Sequence, residues 1–333
     1  MNTTSRPKFT KDLLRLEPEK EIETITTQIR SILSKKLKRR GLVVALSGGI
    51  DSSVSVGLAV DALGPERVFA LLMPERHSSD DTIALSSAVA DHFGVDRAHE
   101  DITSILEVVG FYRRYDEAVR QVIPEYGEGW KSKIVIPNAI ENKGFNLFSV
   151  VAQSPGGEIV KQRLPLKAYL EIVAATNFKQ RIRKMLEYYH ADRLNYAVTG
   201  TPNRLEYDQG FFVKLGDGAA DIKPIAHLYK SQVYQMAEHL GVPEQVRHRA
   251  PTTDTYSLAQ GQDEFYFSLP YAKMDLCLYG KNNGYAPAEI ADTIDLTPEQ
   301  VQRVYNDIDT KRSTTQYLHL QAQLIEPIPE ITH

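Results

Sequence analysis

A turn of Ser47-Gly48-Gly49-Ile50-Asp51-Ser52-Ser53 follows directly on the apolar run Leu42-Val43-Val44-Ala45-Leu46 and leads into a segment whose apolar residues, Val54, Val56, Leu58, Ala59 and Leu63, continue as a helix. A joint of this kind aims free backbone N–H groups and the positive end of a helix at the turn, which makes the turn a seat for phosphate. Two glycines let the backbone approach an anion closely, and three serine hydroxyls add donors. No Gly-Lys-Ser/Thr ending and no Gly-x-Gly-x-x-Gly is present, so this is neither a Walker loop nor a dinucleotide fingerprint. It carries a carboxylate instead. Asp51 beside a polyphosphate would repel it unless a cation lay between them, so the turn implies Mg2+.

The elements that must position this turn alternate. Strand 42–46 precedes a helix to about 63, strand Val68–Met73 a helix over about 80–93, and a short strand near Ala98–Ile102 a helix from about 103. A long helix over about 167–190 then leads to the strand Leu194–Thr199. This pattern predicts an α/β fold, a doubly wound parallel sheet with helices on both faces and ligands at the carboxyl ends of its strands. Residues 1–16 read as a flexible arm and 17–39 as an amphipathic helix through Ile22, Ile25, Ile29, Ile32, Leu33 and Leu37. The stretch 110–166 breaks the alternation and reads as an insertion, with a hairpin of Phe145–Gln153 and Glu158–Leu164 around Ser154-Pro155-Gly156-Gly157. The main domain is then 17–285. Beyond it, 286–333 is expected to form a helical extension, in which Pro287–Ile294 and Pro298–Lys311 suggest a helix-turn-helix, although the region is not basic and a structural cap fits better.

A chain of 333 residues with 42% apolar content can bury a substantial core. Its net charge of −4 argues against a surface that coats nucleic acid. Cys277 is the single cysteine, which excludes an internal disulfide and a Cys-based metal site. The start is polar, and the expectation is a cytoplasmic protein without a membrane segment.

The turn resembles the pyrophosphate-binding loop of the ATP pyrophosphatases, which cleave ATP between the α and β phosphates. A second stretch makes the resemblance specific: Gly200-Thr201-Pro202-Asn203-Arg204-Leu205-Glu206, followed by Phe211-Phe212-Val213-Lys214-Leu215-Gly216-Asp217-Gly218-Ala219-Ala220-Asp221. With Asn177, Arg181, Arg183 and Met185, Leu228-Tyr229-Lys230, Leu240-Gly241-Val242-Pro243, Pro251-Thr252-Thr253-Asp254 and Asp263-Glu264, it is similar to the ammonia-dependent NAD synthetases over roughly 20–105 and 167–280. The resemblance implies that a substrate carboxylate attacks the α-phosphate of ATP and that ammonia then displaces AMP from the acyl-adenylate, giving NAD from nicotinic acid adenine dinucleotide.

The resemblance also implies roles. Asp51 and Glu206 share one Mg2+, while Ser47, Gly48, Gly49, Ser52, Ser53 and Thr201 hold ATP and the departing pyrophosphate. Lys230 stabilises the α-phosphate region and Thr252 donates a hydroxyl. Asn177, Arg181, Lys214 and Asp217 meet the substrate. Arg181 and Arg183, two apart on a helix, diverge by about 200° and cannot both face one ligand; Arg183 stays open between substrate and scaffold. Loops Glu75–Asp80 and Thr252–Glu264 are candidate lids over the adenylate. A homodimer is implied, and free ammonia or a separate glutaminase is expected to supply nitrogen, since no catalytic cysteine is to spare.

The sequence departs from the family at Ile50, where Gln is usual, and at Pro202-Asn203, where Asp-His is usual. With the stretch 110–166, in which Tyr112, Trp130, Lys131 and Lys133 are candidate pocket residues, these departures leave another carboxylate substrate as an alternative. A silent nucleotide-binding regulator is a second alternative, distinguished by releasing no pyrophosphate.

Overall fold

The computed structural model describes residues 6–135, 148–249, 256–258, 266–267 and 269–331. Four strands, β1 (Leu42–Ala45), β2 (Val68–Leu72), β3 (Asp96–His99) and β7 (Ala197–Thr199), form a wholly parallel sheet in the order β3-β2-β1-β7. Each residue of Leu42-Val43-Val44 is fully buried, as a strand covered on both faces requires. Because β2 and β3 lie on one side of β1 and β7 on the other, the chain direction switches beside β1, and a crevice opens at the carboxyl ends of β1 and β7.

Helices α1 (Pro18–Ser31), α2 (Ile50–Leu63), α3 (Asp80–Phe93), α8 (Lys230–His239) and the short α9 (Glu244–Arg247) cover one face, where Ile29, Val54, Leu58, Val233 and Val246 belong to one buried cluster. The expected helix 17–39 is two pieces: α1 ends at Ser31 and a wider turn, Ile32–Leu37, carries Leu33 into the core before Lys38 reverses the chain with a left-handed φ of 55°. The other face carries α4 (Thr103–Val108), α5 (Phe111–Arg120) and the long α6 (Leu166–Leu194). Helix α6 consumes the first residue expected of the last strand, because Asn195, left-handed at φ 55°, ends it and lets the strand begin at Ala197. Strand β3, by contrast, starts earlier than expected, with Asp96 opposite Phe69.

Between α5 and α6 lies a separate antiparallel sheet, β4 (Lys131–Val135), β5 (Ser149–Gln153) and β6 (Ile159–Arg163), in that order. The expected hairpin is β5–β6, closed by Ser154 N bonding Glu158 O at 2.8 Å and by Gly157 at φ 87°; its first residues, from Phe145, fall outside the described residues.

The two ends of the chain make a third layer. Phe9 and Leu14 are buried with residues of α10 (Tyr271–Asn282), α11 (Pro287–Ile290) and α12 (Pro298–His319). From residue 6 onward the expected flexible arm is therefore docked: Arg6 pairs with Glu289 at 2.6 Å, and the Tyr285 hydroxyl donates to Pro7 O. The physical reason is Phe9, an aromatic ring that stacks edge-on against Tyr285.

Candidate active site

The crevice at the switch point holds a cavity of about 450 Å3. Its first wall is the turn after β1. Gly48 takes a left-handed φ of 71°, and a Cβ there would lie 2.8 Å from Leu85 Cβ, so the tight turn against α3 requires glycine. Ser52 and Ser53 both donate their hydroxyls back to Gly49 O, at 3.0 and 2.8 Å, and Ser47 Oγ sits 3.2 Å from Ser52 Oγ. The turn is thus pre-formed by its own side chains.

The second wall is the turn after β7. Asn203 caps α7 (Arg204–Gln209): its Oδ1 accepts from Leu205 N and Glu206 N, and Glu206 Oε2 accepts from Asn203 N at 3.1 Å. This reciprocal cap points the Glu206 carboxylate at the crevice with one fixed orientation. The Asn203 amide also donates to Asp51 Oδ1 at 3.3 Å, so the turns after β1 and β7 are bonded across the switch point.

Lys230 arrives from the third direction, in the first turn of α8. Its ammonium pairs with Asp51 Oδ2, and it is nearly wholly buried. Burial pushes the ammonium pKa down, but Asp51 and Glu206 outweigh it and the net shift is upward, so Lys230 is charged. Beneath it the buried Asp275 accepts from Lys230 N at 3.2 Å and Ser231 N at 2.7 Å, satisfying two orphan donors of α8. Glu206 behaves oppositely. Burial first, and the Asp51 charge second, push its pKa from 4.5 to about 8.

Two carboxylates crowded in a buried site with one ammonium are short of positive charge. Among the described residues no three His, Cys, Asp or Glu side chains converge to hold a metal by themselves. Mg2+ does not need three: it binds through one or two carboxylates and completes its shell with water and substrate phosphate. Asp51 and Glu206, whose turns are bonded across the switch point, fit that requirement.

The far end of the cavity is lined by α6 and by Phe148, the residue before β5. Lys179 pairs with Glu75 at 2.6 Å, both fully buried, and Tyr112 donates to the other Glu75 oxygen at 2.9 Å. Burial would raise the Glu75 pKa, but Lys179 holds it below the usual carboxylate value. The start of the 75–80 loop is therefore pinned. Phe148 stacks on Tyr169, centroids 4.2 Å apart, and both rings line the cavity with Tyr256.

The NAD synthase family model matches residues 21–125 and 132–316. The chain belongs to the NAD synthase family. It is 57% identical to the NH3-dependent NAD+ synthetase of Rhizobium meliloti over 97% of this chain and 96% of that one. Two solved structures share the fold: an NMN synthetase from Francisella tularensis, with 20% identity, a TM-score of 0.64 and 93% of this chain against 98% of that one, and an NH3-dependent NAD synthetase from Campylobacter jejuni, with 22% identity, 0.61, and 93% against 100%. The family match covers all but 126–131 of the stretch 110–166, so most of that stretch belongs to the NAD synthase domain itself.

Of the residues that sequence reasoning assigned to the NAD synthase chemistry, Ser47, Gly49, Asp51, Ser52, Thr201 and Glu206 meet on the cavity wall, as do Lys230, Asn177 and Asp217. Asp217 accepts from Val213 N at 2.7 Å, and burial raises its pKa. Gly48 and Ser53 are not on that wall and shape the turn from behind. Arg181 is exposed, its Nε 3.4 Å from Lys214 O, and it is Arg183 that lines the cavity, with Nε on Met73 O at 3.3 Å. Lys214 points away, donating to Tyr317 O and Leu320 O at 2.6 and 2.9 Å. Thr252 lies outside the described residues. Tyr112, Trp130, Lys131 and Lys133 do not line the cavity. Asn203 and Lys179 were missed. Asn203 had a readable signal, since Asn-x-x-Glu before an apolar residue is a capping box.

Proposed function

We infer that this protein makes NAD+ by ATP-dependent amidation of nicotinic acid adenine dinucleotide, with ammonia as nitrogen donor. The observation that carries the reading is the meeting of Asp51, Glu206 and Lys230 at the switch point, below a turn built for pyrophosphate. In the first step an oxygen of the nicotinate carboxylate bonds to the α-phosphorus of ATP, the bond from that phosphorus to the bridging α–β oxygen breaks, and pyrophosphate leaves. Two anions must approach, so the site must neutralise charge.

Lys230 is the chain's own cation for this, and it can move its contact from Asp51 to a phosphate oxygen. Ser47, Gly49 and Ser52 receive the pyrophosphate. Asp51 and Glu206 would hold Mg2+, which when bound neutralises the phosphates and strips the raised pKa from Glu206. In the second step ammonia bonds to the acyl carbon, AMP leaves with the electron pair of the acyl–oxygen bond, and a proton passes to solvent. No protein nucleophile is needed. Arg183, half-buried on the cavity wall, suits the dinucleotide's own phosphates.

Ammonia arrives free or from a separate glutaminase, and the setting is the cytoplasm. The protein works as a homodimer on this reading. Its support is the outer face of α6, which leaves Leu166, Leu170, Met185 and Tyr189 exposed. Sedimentation of the wild type and of Met185→Glu checks it, with a monomer expected only for the variant.

The reaction is tested by following pyrophosphate and NAD+ with ATP, Mg2+ and the dinucleotide acid, with and without ammonium. NAD+ that forms only with ammonium and vanishes in Asp51→Asn is expected. An ATP-binding protein that leaves the dinucleotide acid untouched but amidates another carboxylate would overturn it.

A further inference from the structure

Ser132, the second residue of β4, is fully buried, and each of its polar groups is engaged. Its side chain faces away from solvent, with Oγ 2.8 Å from the Tyr115 hydroxyl and 2.9 Å from that of Tyr126. Its N–H and C=O are directed away from β5, where Ala152 stands opposite, and out of the sheet. There the N–H donates to Ser257 Oγ at 2.9 Å and the C=O accepts from Leu258 N at 3.1 Å. At Ser132 the outer edge of β4 is thus paired with residues 257–258.

Tyr256, one residue earlier, is buried, packs its ring 6.4 Å from that of Tyr115, and reaches the cavity wall. Phe148, the residue before β5, stacks on Tyr169 of α6, and both rings join Tyr256 on that wall. One strand residue therefore ties a segment 125 positions away in sequence to the aromatic end of the cavity.

We propose that β4 is a latch: Ser132, through Ser257 and Leu258, positions Tyr256, and Phe148, Tyr169 and Tyr256 together form the surface on which a flat heteroaromatic ring of the acid substrate stacks. The ring specified is the substrate's because Tyr169 shares α6 with the cavity-lining Asn177 and Arg183, while the turn after β1 takes the ATP phosphates. Ser132 and Ser257 are positioning residues and touch no substrate. This rests on the functional reading above for the identity of the ring.

The test compares Ser257→Ala, which removes the acceptor, with Ser257→Thr, which keeps a hydroxyl, in the full chain. Ser257→Ala is expected to raise KM for the dinucleotide acid about tenfold, the worth of one aromatic stacking contact. KM for ATP and the melting temperature should stay at wild-type values, and Ser257→Thr should restore KM. Hydrogen exchange at residues 256–258 should quicken in Ser257→Ala alone. Unchanged KM for the acid, or a joint loss of both KM values, kcat and melting temperature, would overturn the latch. A wild type that amidates no dinucleotide acid would sink the functional reading instead; the exchange measurement then still decides, and unaltered exchange at 256–258 in Ser257→Ala refutes the latch.

Discussion

Lys230 is held by Asp51 before any phosphate arrives, so replacing it removes a cation from the reaction and leaves Asp51 and Glu206 facing each other. Lys230→Met should lower kcat by roughly a hundred- to a thousandfold, the scale of one lost electrostatic stabiliser, while KM for the acid changes little, and steady-state kinetics checks this. Glu206 gives a second, opposite prediction. Its folded pKa of about 8 lies above the ordinary 4.5, so the folded state holds a proton that the unfolded chain releases. That contribution is complete below the unfolded pKa and is lost as pH rises through about 8, so the ligand-free protein loses stability across this window. Glu206→Gln cannot titrate. It should match the wild type near about pH 5 and melt about 5 °C higher near about pH 8.5, while making no NAD+; a wild type that gains stability toward pH 8 relative to the variant would refute the assignment.

Helix α7 presents Glu206, and α12 holds α7. Arg312 makes a bidentate pair with Asp208, at 2.6 and 2.8 Å, and Thr315 packs so closely on Gly210 that a Cβ there would lie 2.3 Å from Thr315 Cβ. Arg312→Ala leaves the largely covered Asp208 carboxylate with Arg204, at 3.4 Å, as its remaining ion-pair partner among the described residues, and should lower the melting temperature by about 5 °C with a smaller loss of kcat. Calorimetry beside kinetics would show it, and an equal loss of both would place Arg312 closer to the chemistry. This brace was not legible in the sequence, because nothing in the C-terminal pattern says which buried carboxylate an arginine will meet. The parallel sheet was legible, since each strand is a short apolar run and each following helix has a matching period. The tight turn after β1 was legible because its glycines and serines act locally. Helical periodicity correctly separated Arg181 from Arg183, but periodicity gives the angle between two side chains and not the direction of the cavity. Exposed Arg181 and cavity-lining Arg183 reverse the sequence-based preference. Arg183→Ala should therefore raise KM for the dinucleotide acid about tenfold or more, as expected for a lost charge-assisted contact, with Arg181→Ala the smaller of the two.

Three buried clusters meet at the cavity: one under α1, α2 and α8, one under α5, α6 and the antiparallel sheet, and one built from the two ends of the chain. The single cysteine lies in the third. Cys277 is fully buried, and loss of water pushes its thiol up to about 12. A thiol so placed is neither accessible nor ionised, and a nucleophile for splitting glutamine must be both. Nitrogen must then enter this chain as ammonia. Three results should follow together. Iodoacetamide should leave the native protein active, glutamine alone should support no NAD+ formation until a separate glutaminase is added, and the apparent KM for total ammonium should fall as pH rises, because only the free base carries the lone pair that attacks the acyl carbon. NAD+ formed from glutamine by the purified chain, and lost on alkylation, would require Cys277 to leave its core and would overturn the argument at its base.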